Sequence, residues 1–470
     1  MKMYVAGEWV NGRESIDVIN PYDGSVVDTV PRGSAADVDR ALASAERGAV
    51  AMAALTGFER YEILHRAGDL IVRDQESLAR TLTREEGKVI SEARTEVSRA
   101  AEIIYLSAEE AKRLGSEVIP LDGGPGVRNK FGFTVRVPCG VVAAVAPFNF
   151  PLHLVCHKVG PALAAGNAVV VKPATDTPLV GVRVIELLLE AGIPEEAVHV
   201  ITGPGSEIGD ALVSDHRVRK VTFTGSRDIG ERICKMAGIK KVTMELGSNA
   251  AAIVLPDADL DKVVEVLPQT AFSNAGQVCI STQRLIATGS VYGDLIDALK
   301  PKIEDIGTGD PLDEATDMGP MIRESDAARV GNWIDEACQG GAEIVVGGGR
   351  DGQMFQPTLV TNVSPDMRMS CDELFGPAVG VTQVQDIDQA IALANDSNYG
   401  LSASIFTQNL DSAMRFVREV DSGNIHINWG TQWRTDLMPY GGVKDSGLGK
   451  EGPKYAVEEM TELKMVVMHL

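Results

Sequence analysis

The chain has 470 residues, 44% of them hydrophobic and 23% charged, with a formal net charge of −22. That length suits two or three domains with large buried cores, and the acidic balance excludes nonspecific attraction to nucleic acid or to an anionic membrane. The six cysteines (Cys139, Cys156, Cys234, Cys279, Cys338 and Cys371) show no CxxC spacing, which argues against a metal site or a disulfide framework and for a reducing compartment. The first residues lack the apolar core of a signal peptide, and no apolar run approaches the roughly 20 residues of a membrane span, so a cytoplasmic protein is expected.

In chain order, residues 34–54 read as a helix, with Ser34 able to cap and Asp37 three residues on. Further helices are expected to about Leu114. The Gly-rich and β-branched segment 117–136 suggests a hairpin. From Val141 short apolar runs alternate with helical stretches. Residues 141–146, 168–171, 198–201, 221–223 and 242–244 read as buried strands, and 182–191 as a helix stopped at Gly192. This alternation implies an α/β fold with a parallel, doubly wound sheet, which binds ligands beyond the carboxyl ends of its strands. Asn149, Lys172, Gly225, Ser226 and Glu245 all follow such runs. A second alternating set, with strands at 251–255, 343–346, 379–384, 401–405 and 424–427, indicates a second α/β domain carrying Cys279. The tail, 462–468, reads as an edge strand. Exposed sheet edges of this kind suggest assembly through strands.

Several side chains carry chemical potential. The Cys279 thiol is either a buried structural cysteine or a nucleophile, and Glu245, closing an apolar run, is a candidate base. Gly225-Ser226-Arg227-Asp228-Ile229-Gly230 follows a strand and opens a helix, a place suited to phosphate, although it is not the GxGxxG fingerprint. Lys172 is either a solvated strand end or a donor to a ribose hydroxyl or phosphate.

The segments Ala146-Pro147-Phe148-Asn149-Phe150-Pro151, Val171-Lys172-Pro173-Ala174, Phe223-Thr224-Gly225-Ser226, Met244-Glu245-Leu246-Gly247, Gly276-Gln277-Val278-Cys279, Glu373-Leu374-Phe375-Gly376-Pro377 and Pro439-Tyr440-Gly441-Gly442-Val443-Lys444 occur in this order. Together they resemble the NAD(P)-dependent aldehyde dehydrogenase family over nearly the whole chain. The resemblance implies an aldehyde dehydrogenase-like fold. A Rossmann-type cofactor domain would occupy 1–116 and 137–246, a catalytic α/β domain 247–450, and a small β oligomerisation element 117–136 and 451–470, giving a homodimer or homotetramer.

It also implies roles. Cys279 would attack the aldehyde, Asn149 and the Cys279 backbone N–H would hold the oxyanion, and Glu245 would activate water. Lys172 and Glu373 match the ribose-binding positions, Phe375 the nicotinamide flank, and Gly225 and Ser226 the pyrophosphate turn. Glu451 matches a proposed proton relay, or is an exposed charge near a turn. Thr175 stands where NAD-preferring members carry glutamate, so NADP is expected to be accepted, alongside or instead of NAD. Ser248 replaces a glycine, with only a minor backbone adjustment expected.

The substrate is expected to be a small polar aldehyde: lactaldehyde or glyceraldehyde first, phosphonoacetaldehyde or succinate semialdehyde second. His157 stands where succinate-semialdehyde enzymes often have arginine. Arg434 either binds an anionic or hydroxylated substrate or pairs with Asp436. A non-catalytic oligomer and a cofactor-independent esterase are the readings from other classes.

Overall fold

The computed structural model describes residues 1–470. The helix Ala35–Ala54 begins at Ser34, whose side chain accepts from the Asp37 N–H in a reciprocal capping box. The helices Gly57–Arg73, Gln75–Glu86 and Ile90–Ala111 follow, and Leu179–Glu190 begins three residues before its expected start.

The first sheet runs, in spatial order, Glu8–Val10, Met3–Val5, Val198–Val200, Ala168–Lys172, Val141–Val145, Val218–Thr224, Lys241–Glu245 and Gly447–Leu448. Its five central strands are parallel, and both outer flanks are antiparallel additions. The central strands Ala168–Lys172 and Val141–Val145 are buried along their whole length, as expected for a sheet covered on both faces.

The second sheet runs Glu343–Val346, Thr358–Thr361, Ala378–Val384, Arg284–Thr288, Ala251–Val254, Ser402–Phe406 and Asn424–Ile427, parallel except at Glu343–Val346. Arg284–Thr288 and Thr358–Thr361 were not among the expected strands. Arg284–Thr288 opens on an arginine, which reads as solvated. Its guanidinium is instead buried, donating to the carbonyls of Asn249, Leu393 and Ala394.

A third sheet pairs the tail strand Thr461–His469 with Lys130–Pro138, which in turn pairs with Val118–Ile119. The helix Pro453–Glu459 departs from the expected grouping of 451–470. Its Val457, with Met460 just beyond, joins the large core beneath the first sheet.

Candidate active site

The first sheet delivers its functional groups after its strands. Asn149 lies in the turn beyond Val141–Val145. Lys172 and Glu245 end their strands, and Ser226 caps the helix Arg227–Ala237 that follows Val218–Thr224. The second sheet delivers its groups before its strands. Cys279 precedes Arg284–Thr288, while Glu373 and Phe375 precede Ala378–Val384. All of these residues, with Thr175 and Gly225, line one cleft of about 890 Å³.

The approach to Cys279 is an unusual piece of backbone. Asn274 and Ala275 adopt left-handed φ values of 49° and 52°. Gly276 follows at φ 68°, and a Cβ there would lie 2.2 Å from the Gly376 carbonyl oxygen, so the loop closes against the segment carrying Phe375. Phe375 itself holds φ 47° and meets the Phe148 ring edge-on at 5.9 Å. A bulky residue held in that region marks a position fixed by its surroundings.

Cys279 is partly open to the cleft yet ringed by protein, and burial pushes its thiol up to about 12. Its Sγ lies 3.1 Å from the Tyr440 hydroxyl. Asn149 is buried and donates one amide N–H to the Gln277 carbonyl at 2.8 Å, leaving its second for a ligand. Glu245 is buried with neither carboxylate oxygen partnered. Burial, and then the charge of Glu451, raise its carboxyl well above the ordinary range, against the pull of Arg434 and Lys158.

The cofactor side fits a dinucleotide. Lys172 is buried, which lowers its amine to about 8, and its only bond is to the Pro173 carbonyl at 2.9 Å. Glu373 is pushed up to about 7 by burial and accepts from the Ser248 N–H at 2.8 Å. Gly247 leaves the space for this carboxylate, since a Cβ there would stand 2.4 Å from it. Ser248 is itself buried without displacing that contact. The Ser226 hydroxyl makes no bond to the helix it caps, which leaves it and the helix N–H groups for a phosphate. Thr175 donates to the Gly203 carbonyl at 3.3 Å, and the neighbouring Asp176 is paired with Arg323. No unpaired carboxylate therefore stands at that corner of the cleft.

Arg434 and His157 lie behind Tyr440 and do not line this cleft. The Arg434 guanidinium stacks on the Tyr440 ring at 3.8 Å and reaches His157 Nε2 at 2.7 Å. The same nitrogen lies 3.2 Å from Asp436 Oδ1, so Nε2 accepts from Arg434 in one tautomer and donates to Asp436 in the other, while Nδ1 faces Glu451 at 3.8 Å. Asp436 and Glu451 each stand 3.7 Å from Arg434. Both acids have closer cations: Arg99 is 2.8 Å from Asp436, and Lys158 is 3.1 Å from Glu451. Glu451 is buried rather than exposed. Burial alone would raise its carboxyl, but Lys158 foremost overcomes this and holds it at about 2.

Tyr440, Lys158, Arg99 and His153 were not singled out from the sequence, nor was a second buried group at Lys88. Lys88 Nζ donates to Glu96 at 2.6 Å and to the Asn149 carbonyl at 2.7 Å. One signal for that group was available. Glu96 falls in the helical register of the buried Ala93, Val97 and Ala100.

The sequence matches the aldehyde dehydrogenase family over residues 9–466. It is 48% identical to the 3-sulfolactaldehyde dehydrogenase of Priestia megaterium, covering 100% of this chain and 98% of that one. Among solved structures, the NADP-dependent glyceraldehyde-3-phosphate dehydrogenase from Bacillus halodurans, complexed with NADP, superposes at a TM-score of 0.98. It has 38% identity and covers 100% of this chain and 99% of that one. Aldehyde dehydrogenase 21 from Physcomitrella patens, in complex with the reaction product succinate, superposes at 0.97 with 37% identity, covering 100% and 98%.

Proposed function

The chain belongs to the aldehyde dehydrogenase family and is an NAD(P)-dependent aldehyde dehydrogenase, and from that premise we propose that its substrate is a short hydroxyaldehyde bearing an anionic group, of the sulfolactaldehyde type. Arg434 carries this reading. It is a buried guanidinium whose Nε has no partner, and its ring partner Tyr440 touches the Cys279 sulfur. A cation therefore waits one side chain from the reacting sulfur. A sulfonate, phosphonate or carboxylate suits its planar donors better than an alkyl tail does. The 48% identical sulfolactaldehyde dehydrogenase and the succinate-bound neighbour each act on or hold an anionic compound, which supports the same choice. Lactaldehyde and glyceraldehyde, which lack the anion, move behind it.

In this reading Glu245 takes the thiol proton as Cys279 sulfur bonds to the carbonyl carbon. The free Asn149 N–H and the Cys279 backbone N–H meet the developing oxyanion, where preorganised donors contribute most. Lys172 and Glu373 hold ribose hydroxyls, Gly225 and Ser226 the pyrophosphate, and Phe375 borders the nicotinamide, which when bound supplies the hydride acceptor. Once it has released that first proton to solvent, Glu245 takes one from the water that adds to the thioester, and the acid leaves as the Cys279 thiolate is freed. With Thr175 neutral and Asp176 paired, a 2′-phosphate meets no repulsion, so NADP is used as well as NAD. Residues 117–136 and the tail form the subunit contact, since Leu463, Met465 and Val467 are exposed on an edge strand whose outer side has no strand partner. Sedimentation of Met465→Asp tests that contact, and an unchanged oligomer would remove it.

The experiment is reduced-cofactor absorbance with NAD and NADP against sulfolactaldehyde, succinate semialdehyde, phosphonoacetaldehyde, lactaldehyde, glyceraldehyde and hexanal. Arg434→Ala should lower kcat/KM for the preferred anionic aldehyde by about ten- to a hundredfold more than for hexanal, as expected for losing a charged hydrogen bond. Equal losses on both would sink the anion reading. Omitting the cofactor tests the esterase alternative.

A further inference from the structure

Tyr440 sits where it can act on the reacting atom itself. Its hydroxyl is 3.1 Å from Cys279 Sγ, its side chain is buried with Val278 and Ile280, and its backbone is clamped to Glu451 by paired bonds of 3.1 and 2.7 Å. Arg434 lies over the ring at 3.8 Å, which puts positive charge against the face of the phenol and favours its role as donor. The other charged groups that bear on the sulfur are Glu245, Arg434 and Glu373, and none of them is hydrogen-bonded to it. The phenol is the one side-chain hydrogen-bond partner of the thiol.

We propose that Tyr440 is a catalytic residue that donates its O–H to the Cys279 thiolate, holding the sulfur as an anion after Glu245 has taken its proton and again when the thioester is cleaved. The balance is simple. The S–H bond breaks, an O–H bond forms on Glu245, and Tyr440 keeps its own proton throughout. The direction of the donor follows from charge, because a thiolate can only accept. A hydrogen bond to an ionised group is roughly twice as strong as one between neutral groups, so the phenol favours the thiolate over the thiol. The same bond tempers the sulfur, since nucleophilicity falls as a thiol becomes more acidic. This assignment rests on the reading of Cys279 as the nucleophile.

The test is the pH dependence of Cys279 alkylation by iodoacetamide in the full-length protein, followed by peptide mapping across the six cysteines. Tyr440→Phe removes only the hydroxyl. Its profile should move to higher pH by about one unit or more. At a given neutral pH that means alkylation about threefold to tenfold slower, after allowing for the greater nucleophilicity of a more basic sulfur. The same protein with 3-fluorotyrosine at position 440 has a stronger donor of nearly the same shape, and its profile should move to lower pH. A packing role would not separate these two variants. A Tyr440→Phe profile that overlies the wild type, or two variants displaced in the same direction, would overturn the proposal. The nucleophile reading fails separately, if protein alkylated at Cys279 still oxidises aldehyde.

Discussion

Two buried ionic groups flank Cys279, and they are built on opposite plans. The first, around Lys88, is complete. Glu96 accepts from Lys88 and from the Leu152 and His153 N–H groups. Glu86 accepts from Asn274 and the Lys88 N–H, and Glu92 from Ser273 and the Asn274 N–H. Asn274 Nδ2 also donates to the Asn149 carbonyl at 3.1 Å, so this group ties the Cys279 loop to the turn carrying Asn149. None of its polar atoms is left over.

The second group, around Arg434, is open. Arg434 Nε, Asp436 Oδ2, His157 Nδ1, Glu451 Oε2 and both Glu245 oxygens have no partner. A satisfied buried network fixes geometry, whereas an unsatisfied one costs stability and is retained where something else must bind or react. The first group is scaffold for the proposed oxyanion donors, and the second, in the proposed function, supplies the cation for the substrate's anion.

The largest expected effect sharpens this contrast directly. Lys88→Met strands buried carboxylates and should cost about 3–5 kcal/mol in denaturant unfolding. Arg434→Met should cost about 1 kcal/mol, because Asp436 and Glu451 keep their nearer cations, Arg99 and Lys158. Equal losses would erase the distinction between the groups.

A smaller effect concerns protons in the complete group and on Glu85 beside it, which accepts from the Leu179 and Val180 N–H groups. Burial foremost raises the carboxyls of Glu85 and Glu86 to about 8. The folded state therefore binds protons that the unfolded chain releases. Their contribution to stability is full below the unfolded value and is lost as pH rises through about 8. The thermal midpoint should fall on going from neutral to alkaline pH, and Glu86→Gln should flatten that fall. A midpoint that rises with pH in the wild type would contradict it.

The smallest effect lies in the open group. Glu451 is one of the two influences that raise the Glu245 carboxyl. Glu451→Gln should move the acid limb of the kcat profile to lower pH by about one unit or less. An acid limb displaced upward would show that Glu245 is governed by other neighbours.

Local pattern made much of this molecule legible. The Ser34–Asp37 cap, the apolar runs of the first sheet and the residues that end them are properties of a few neighbouring side chains. Strands buried on both faces write themselves as continuous apolar stretches. Asn149, Lys172, Ser226 and Glu245 therefore fall at one sheet edge by local pattern alone. The resemblance of the ordered motifs supplied the chemistry.

What the chain alone did not decide was which charges go inside. Glu85 and Glu86 end a helix and Lys88 follows it in a run that looks solvated, and Arg284 opens a strand. All are buried because partners more than a dozen residues away meet them there. Nor did it reveal that the second sheet presents its amino ends to the cleft, or that Tyr440 meets Cys279 across 161 residues of sequence. Burying a charge is favourable only when a distant donor or counter-charge arrives with it. That pairing is settled by how the two sheets close on each other, which no local period in the sequence records.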